Sequence, residues 1–408
     1  MDKDKCNCGL GLDRWLAVMG GLVPVCLVLG VVVYEAFISL TGLIWLISRL
    51  KYPTDREHIV HNPLFWPIFA WFGVILLSRL VNWGTPYQFG NDIAFIRFPL
   101  FALAMWDVSS RIPVHRYIIV GLLVGIAYAV LNLLCAHIIG HDFIGKPLSR
   151  YLHKLNEGAR IGGLCAYAAP FLILWGSCDR TLDRNRRTGL VAFGLIAALL
   201  VISSQVRTAL MAGVAGLFGG FLALLIVRKQ LKTKAVISLA VLALLGAYGV
   251  YRIKPSLNSM YDRVYFWEVS WNVWVQNPLV GVGISSFNDA YRVVAESGKV
   301  ADFVAPNGVV YSSVNPRHAH NLFLQLMACN GLLGLVAFGW IFGRVVQTLR
   351  KRLVPWHTGL LSWPFVCVMV GLTGWNIYDP FYTTVIFYFL VLISVPADVG
   401  PRPLTAQP

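Results

Sequence analysis

Two histidines stand where the longest polar interval of the chain gives way to an apolar span. Segment 316–325 reads PRHAHNLFLQ and contains His318 and His320. An imidazole at the mouth of a membrane span reaches both water and a lipid-borne substrate, and its usual pKa suits proton transfer near neutral pH. The alternative is an interfacial histidine that only caps a helix. We expect no metal site, because no carboxylate or cysteine stands at ligand spacing beside the pair.

Five arginines add a second chemistry on the same predicted side of the membrane. Guanidinium groups match phosphate oxygens in bidentate geometry, so several at one face indicate a lipid phosphate or diphosphate. Arg97 lies inside an apolar segment, 95–98. A cation there is costly unless it is paired or lines a wet cavity. The alternative is ordinary snorkelling to head groups. The five residues are Arg79, Arg97, Arg160, Arg207 and Arg263.

The elements that position these residues are apolar spans. With 408 residues, 57% of them hydrophobic, and a mean hydropathy of +0.66, the chain is predicted to be an all-α integral membrane protein with its helices in one bundle. Each span is about long enough to cross a hydrocarbon core of roughly 30 Å. We predict twelve of them, near 15–34, 37–49, 63–81, 91–106, 117–139, 161–177, 189–204, 208–227, 235–251, 320–343, 357–375 and 381–396.

Charge predicts the orientation of these spans. The net charge of +15 comes largely from basic loops that always fall on the same side, so both termini are predicted to be cytoplasmic. Because the basic residues are scattered between apolar spans, we expect the lipid bilayer and not nucleic acid as the partner of this charge. The basic residues are Arg49, Lys51 and Arg56; Arg111 and Arg116; Arg180, Arg184, Arg186 and Arg187; Arg228, Lys229, Lys232 and Lys234; and Arg344, Arg350, Lys351 and Arg352.

The chain is expected to form a single polytopic membrane domain, 1–408, with a long loop at 252–319 on the side opposite to the basic loops. Within the loop, 261–276 is predicted to be a helix that ends at Asn277-Pro278. One face of it carries Arg263, Trp267, Trp271 and Trp274. The tryptophans either pack the helix onto the membrane face or stack on sugar rings, and packing is favoured. The terminal segment 400–408 is predicted to be a disordered cytoplasmic tail.

Three groups of residues together resemble the O-antigen ligase and polymerase superfamily over about residues 60–395. They are Arg207-Thr208 at the start of a span, Asp262-Arg263 through Trp267 to Pro278-x-x-Gly281-x-Gly283, and His320-Asn321-x-x-Leu324-Gln325. The resemblance implies a membrane glycosyltransferase fold of the GT-C type. It also implies a multi-pass protein of the bacterial inner membrane that uses a glycan on undecaprenyl diphosphate, with its active site at the periplasmic face.

Site residues follow from the same resemblance. His320 matches the family's essential histidine and is expected to be the base, while Arg207 and Arg263 match its two essential arginines and are expected to bind diphosphate. Arg160 resembles a further arginine, although the His-Pro-Asn-type sequence that often follows it is missing here. Arg97 and Arg79 are expected to assist. Supporting positions are Asn321, His318, Trp267 and Asp379, of which Asp379 either orients His320, pairs with an arginine or caps the turn before Pro380.

The expected reaction is an inverting transfer without metal or cofactor. The donor is O-antigen linked to undecaprenyl diphosphate, and the acceptor is a sugar hydroxyl of lipid A–core in lipopolysaccharide assembly. Two relatives in the superfamily remain open, namely a polymerase and a protein O-oligosaccharyltransferase. A lipid-linked anion transporter or flippase also fits arginines at a membrane, although it more often shows paired halves with broken helices at mid-membrane.

Overall fold

The computed structural model describes residues 3–51, 57–82, 89–142, 145, 156–230, 233, 248, 258–304, 308–312, 318–351, 356–374 and 376–396. The described residues are mostly helical. The helices are α1 Lys3–Leu29, α2 Val31–Lys51, α3 Glu57–Val60, α4 Phe65–Val81, α5 Phe89–Ala94, α6 Arg97–Ser109, α7 Val114–Ile139, α8 Asn156–Cys178, α9 Arg184–Ser203, α10 Arg207–Val227, α11 Asn258–Gln276, α12 Phe287–Glu296, α13 Leu322–Lys351, α14 His357–Leu360, α15 Trp363–Thr373 and α16 Pro380–Ser394. Strands β1 Phe303–Val304 and β2 Val310–Tyr311 pair antiparallel.

Seven of the described helices are long and apolar enough to cross a membrane by length and composition. They are α1, α2, α7, α8, α9, α10 and α13, and α4, α16 and the 357–373 segment are shorter apolar helices. The chain is therefore a multi-pass, helical membrane protein. The expected span at 235–251 and the tail at 400–408 lie outside the described residues.

Two expected spans are each built from two helices. The 91–106 span is divided into α5 and α6, and the carboxylate of Asp92 in α5 is fully buried, where it accepts from the Ile284 amide at 3.2 Å and from the Ser285 hydroxyl at 2.6 Å. These two hydrogen bonds connect α5 to the loop. The 357–375 span is divided into α14 and α15, which Ser362 separates.

One end of the bundle is held by a buried ionic cluster that joins α1, α2 and α6. Arg49 pairs with both Asp13 and Asp107, and Arg111 pairs with the same two carboxylates at 2.6 and 3.1 Å. The indole of Trp45 donates to Asp107 at 2.8 Å. Two of the arginines in the predicted cytoplasmic loops are thus internal ion-pair partners. We call this the basic end and the opposite end the site end.

Helix α13 is broken at Gly331, and the loop fills the break. Gly331 has φ +63°, and the amides of Val282 and Gly283 donate to carbonyls of 328 and 329 at 2.9 and 2.8 Å. On the other side of the break, the amides of 332 and 333 donate to the carbonyls of Pro278 and Leu279 at 2.8 and 3.2 Å. The loop therefore satisfies the backbone groups that the interruption leaves without helical partners. The Pro278-x-x-Gly281-x-Gly283 pattern is explained by this joint.

A smaller second core fixes α11 against the start of α13. Buried Tyr265, Val269 and Val273 of α11 pack with Tyr291 of α12 and with Ala319, among others. Helix α11 covers the helix that the sequence places at 261–276. Because the joint and this core both bind α11 to α13, the arginine of the loop and the histidine before α13 are held on one rigid unit.

Candidate active site at the site end of the bundle

His320 occupies a strained turn that its neighbours hold in place. Its φ is +53°, in the left-handed region that side chains rarely adopt. The Asn321 side chain accepts from the second and third amides of α13 at 3.0 and 3.1 Å, as an N-cap does. The side-chain oxygen Oε1 of Gln325 accepts from the backbone amide of Ala319 at 2.7 Å. The polar positions of the His320-Asn321-x-x-Leu324-Gln325 pattern therefore fix the backbone on both sides of the imidazole.

The imidazole of His320 is enclosed by three contacts. Its ring is stacked on Phe266, with 5.4 Å between ring centroids, and its centroid lies 4.0 Å from that of His318. A ring N–H donates to the backbone carbonyl of Gly374. In a neutral imidazole the other nitrogen is then an acceptor, which is the tautomer that a base requires.

The surroundings of His320 favour this neutral form. Burial, followed by the positive charges of His318 and Arg263, lowers the pKa of His320 to about 3. The hydrogen bond to the Gly374 carbonyl acts in the opposite direction. At neutral pH the ring is therefore uncharged.

Arg263 and the start of α10 meet His320 at Gly374. A Cβ built on Gly374 would lie 3.2 Å from Nη2 of Arg263 and 3.4 Å from Oγ1 of Thr208. The Thr208 hydroxyl in turn donates to the Thr373 carbonyl at 3.2 Å. Gly374 has φ +149°, so glycine is required both for its conformation and for the close approach of the guanidinium. Residues from α10, α11, α13 and the turn after α15 thus converge on one peptide.

Arg263 has another arginine for a neighbour. Its pKa is lowered first by burial and then by the charge of Arg207, while Asp262 acts in the opposite direction. Two guanidinium groups close enough to repel each other form a site that is suited to an anion, because an anion between them removes the repulsion. We call Arg207, Arg263 and His320 the first cluster.

Arg97 and Arg160 belong to a second cluster that contains carboxylates. Arg97 approaches Glu35 at 3.8 Å and lies over the ring of Phe98. Asp379 has Arg160 and Glu35 among its electrostatic neighbours, and burial raises its pKa. Its side chain also accepts from the first-turn amide of Phe381 at 2.9 Å, so it caps α16. The second cluster therefore contains two carboxylates, those of Glu35 and Asp379, near its arginines.

Arg79 and the tryptophans of α11 lie among contacts that hold helices in place. Arg79 is buried in the last turn of α4, beside Ser78, whose hydroxyl donates to the Cys329 carbonyl at 2.9 Å. In α11, the indole of Trp274 donates to the Pro278 carbonyl at 3.0 Å and its ring packs edge-on against Trp271. Trp274 thus packs α11 onto its own C-terminal turn. The buried indole nitrogen of Trp267 has no hydrogen-bond partner among the described residues.

Two important residues were missed by sequence reasoning. Gly374 has only the weak signal of a glycine that ends an apolar span, which is typical of a helix C-terminus. Asp92 was detectable as an acid beside an apolar segment on the side opposite to the basic loops, where a charge needs a partner. Among the described residues, no group of three or more His, Cys, Asp or Glu is placed to hold a metal ion.

Comparison with known families adds an independent finding. Residues 192–339 match the model of the family described as O-antigen ligase. The matched segment contains Arg207, Arg263 and His320, and it ends before Asp379. No curated protein matches the chain.

Proposed function

Because the chain belongs to the O-antigen ligase superfamily, we propose that it transfers O-antigen polysaccharide from undecaprenyl diphosphate to a sugar hydroxyl of lipid A–core. The coarser part of this function, a ligase- or polymerase-type enzyme that acts on a lipid-linked glycan in a membrane, follows from the family. The observation that supports the proposed catalytic site is the convergence of His320 and Arg263 on the Gly374 peptide, with Arg207 beside Arg263.

The proposed step is a direct displacement at the anomeric carbon. The acceptor oxygen bonds to this carbon while the bond from the carbon to the diphosphate oxygen breaks, so the configuration inverts. The acceptor proton goes to the free nitrogen of His320, and the electron pair of the broken bond stays on the leaving diphosphate. Arg207 and Arg263 stabilise the charge that develops there, which is the main electrostatic task in such a reaction.

Donor binding and basicity are coupled in this scheme. A pKa of about 3 makes His320 neutral but a weak base. Diphosphate held by Arg207 and Arg263 brings negative charge next to the imidazole and offsets the charge of Arg263, so the pKa of His320 then rises. A base works best when its pKa lies near the working pH. Binding of the donor thus makes His320 a stronger base.

The assignment of the remaining details follows the same proposal. The fold is GT-C-like, the protein spans the inner membrane with both termini in the cytoplasm, and the site end faces the periplasm. Arg160, Arg97 and Arg79 assist at the edge of the diphosphate site. The carboxylates around Arg97 and Arg160 favour a peripheral role for these two arginines over the direct one of Arg207 and Arg263.

The test is transfer by the purified chain in liposomes that contain the lipid-linked glycan. Lipid A–core, a protein acceptor and no added acceptor are offered separately, each with EDTA present. We expect product on lipid A–core only. Product on protein, or elongation of the donor alone, identifies the oligosaccharyltransferase or the polymerase instead, and strict dependence on a divalent metal overturns the mechanism.

Variants link this reaction to the first cluster. His320→Ala is expected to lower the rate about 10²–10⁴-fold, as loss of a general base does. His61, an exposed histidine that follows α3, provides the matched control, and His61→Ala is expected to keep the wild-type rate. Full transfer by His320→Ala would exclude this residue as the base.

A further inference from the structure

Two apolar grooves open on either side of α7 near the basic end. None of the residues that line them belongs to the first cluster. One has a volume of about 430 Å³ and lies between α1 and α7. The other has a volume of about 760 Å³ and lies between α7 and α9. Both volumes fall within the roughly 300–1,000 Å³ of sites that hold small molecules. Arg116 and Val120 line both grooves.

The shape of the first groove follows from glycine. Gly21 of α1 and Gly121 of α7 are so close that a Cβ on either one would collide with the backbone of the other helix. Such small residues let two membrane helices approach closely. Beside this crossing, Leu22, Tyr117 and Val124 form apolar walls. The groove is thus a built feature of the α1–α7 contact.

The second groove has an apolar depth and a basic rim. Its walls include Ile119, Leu123 and Phe193, and its rim includes Arg116 and Arg186. Arg186 pairs with Asp183 at 3.0 Å, but both side chains are exposed, so the pair leaves the guanidinium within reach of another anion. Arg116 is also exposed. Basic groups at the rim of apolar grooves between membrane helices suit an anionic lipid head group.

We propose that these two grooves bind one anionic phospholipid, with its phosphate at Arg116 and Arg186 and an acyl chain on each side of α7. The shared position of Arg116 and Val120 places the head group where the two grooves meet. This inference does not depend on the transfer reaction. It takes the basic end to be the cytoplasmic end, so the lipid comes from the inner leaflet.

The test is native mass spectrometry of the full chain, released from detergent after titration with phosphatidylglycerol or phosphatidylethanolamine. The wild type is expected to retain phosphatidylglycerol preferentially. Arg116→Ala should reduce this preference about fivefold, which corresponds to the ~1 kcal/mol that one basic residue contributes near a lipid surface. Arg350→Ala is the matched control, because Arg350 is an exposed arginine near the same end that lines neither groove. Equal losses in the two variants would reduce the effect to general charge and overturn the proposal.

A second variant tests whether the two grooves bind the acyl chains. Val120 is 58% exposed and lines both grooves, so Val120→Trp fills them without disturbing the core. It should lower retention of both lipids while Arg116 is still present. Unchanged retention would show that the lipid is held by surface charge alone and not by the grooves, and it would overturn the proposal. Displacement of the bound lipid by polyprenyl phosphate, but not by added phosphatidylglycerol, would assign the grooves to a polyprenyl chain and also overturn the proposal.

Discussion

Replacing Gly374 by alanine tests whether one peptide organises the first cluster. The new Cβ would meet Nη2 of Arg263 at 3.2 Å, and φ at this position is +149°. A residue other than glycine in such a conformation costs about 1–3 kcal/mol. The backbone is expected to rotate to relieve this strain, which turns the carbonyl away from His320. A hydrogen bond of this kind contributes about 0.5–1.5 kcal/mol.

These terms set the expected size of the effect. Loss of the hydrogen bond alone slows transfer several-fold, and a shift of the reacting groups by about 1 Å costs up to 10²-fold. We therefore expect Gly374→Ala to lower kcat/KM about 10–100-fold in the liposome transfer assay. Gly343→Ala is the matched control, because Gly343 lies in α13 with open space around its Cβ position. It should keep full activity and gain up to ~1 kcal/mol of stability.

A double variant separates a specific effect from a general loss of structure. If Gly374 acts through His320, the Gly374→Ala, His320→Ala protein is no slower than His320→Ala alone, because residues that act as a unit are not additive. Thermal unfolding of each variant shows whether the fold is kept. A Gly374→Ala protein with transfer within twofold of the wild type would refute the reasoning, since neither the hydrogen bond nor the close approach would then matter.

Three further predictions follow from other contacts. His318 lowers the pKa of His320, so His318→Ala should move the acidic limb of the pH–rate profile to higher pH while the maximal rate stays near the wild type; a shift toward lower pH would contradict this. Arg263→Lys removes the planar fork that binds a diphosphate in two places, so it should raise KM for the donor about tenfold or more, and an unchanged KM would exclude Arg263 from the clamp. Asp92→Asn should lower the free energy of unfolding by about 1–3 kcal/mol, because a buried charged acceptor of two hydrogen bonds is lost. Asp289, which is partly exposed and pairs with Arg292 at 3.1 Å within α12, provides the control. Asp289→Asn should change the thermal midpoint little, because ion pairs near the surface contribute little, and equal midpoints for the two variants would contradict a positioning role for Asp92.

The sequence predicts the helical, membrane-embedded class and the residues of the first cluster. The class follows from composition, since apolar spans in lipid have few alternatives to the helix. His320 stands at the mouth of a span and the arginines lie on the side that the charge rule disfavours, but it was the resemblance to the superfamily that singled out His320, Arg207 and Arg263. Their proximity could not be deduced from the residues alone, because it depends on how α10, α11 and α13 pack.

The parts that escaped prediction depend on backbone conformation and long-range contacts. Gly374 acts through its carbonyl and its missing Cβ, and neither property leaves a chemical signature in the sequence. The break at Gly331 was not expected either, because the only local sign of it is the Asn330-Gly331 dipeptide, a turn signal within an otherwise apolar run. Its cause is the loop some fifty positions earlier, which supplies the hydrogen bonds. The role of Asp92 likewise depends on distant residues, since its hydrogen-bond partners are Ile284 and Ser285 of the loop.

The joint between the 278–283 segment and the break in α13 also restricts how substrates enter. Four backbone hydrogen bonds cross it. Lifting the loop away would leave six of their eight polar groups without these partners, since the carbonyls of Pro278 and Cys329 also accept from the side chains of Trp274 and Ser78. Each such group costs several kcal/mol where water is scarce. The loop therefore cannot swing open at this point to admit a long glycan. In the proposed reaction, donor and acceptor would therefore have to reach the first cluster between the helix ends, and the spent carrier would have to leave by a similar route.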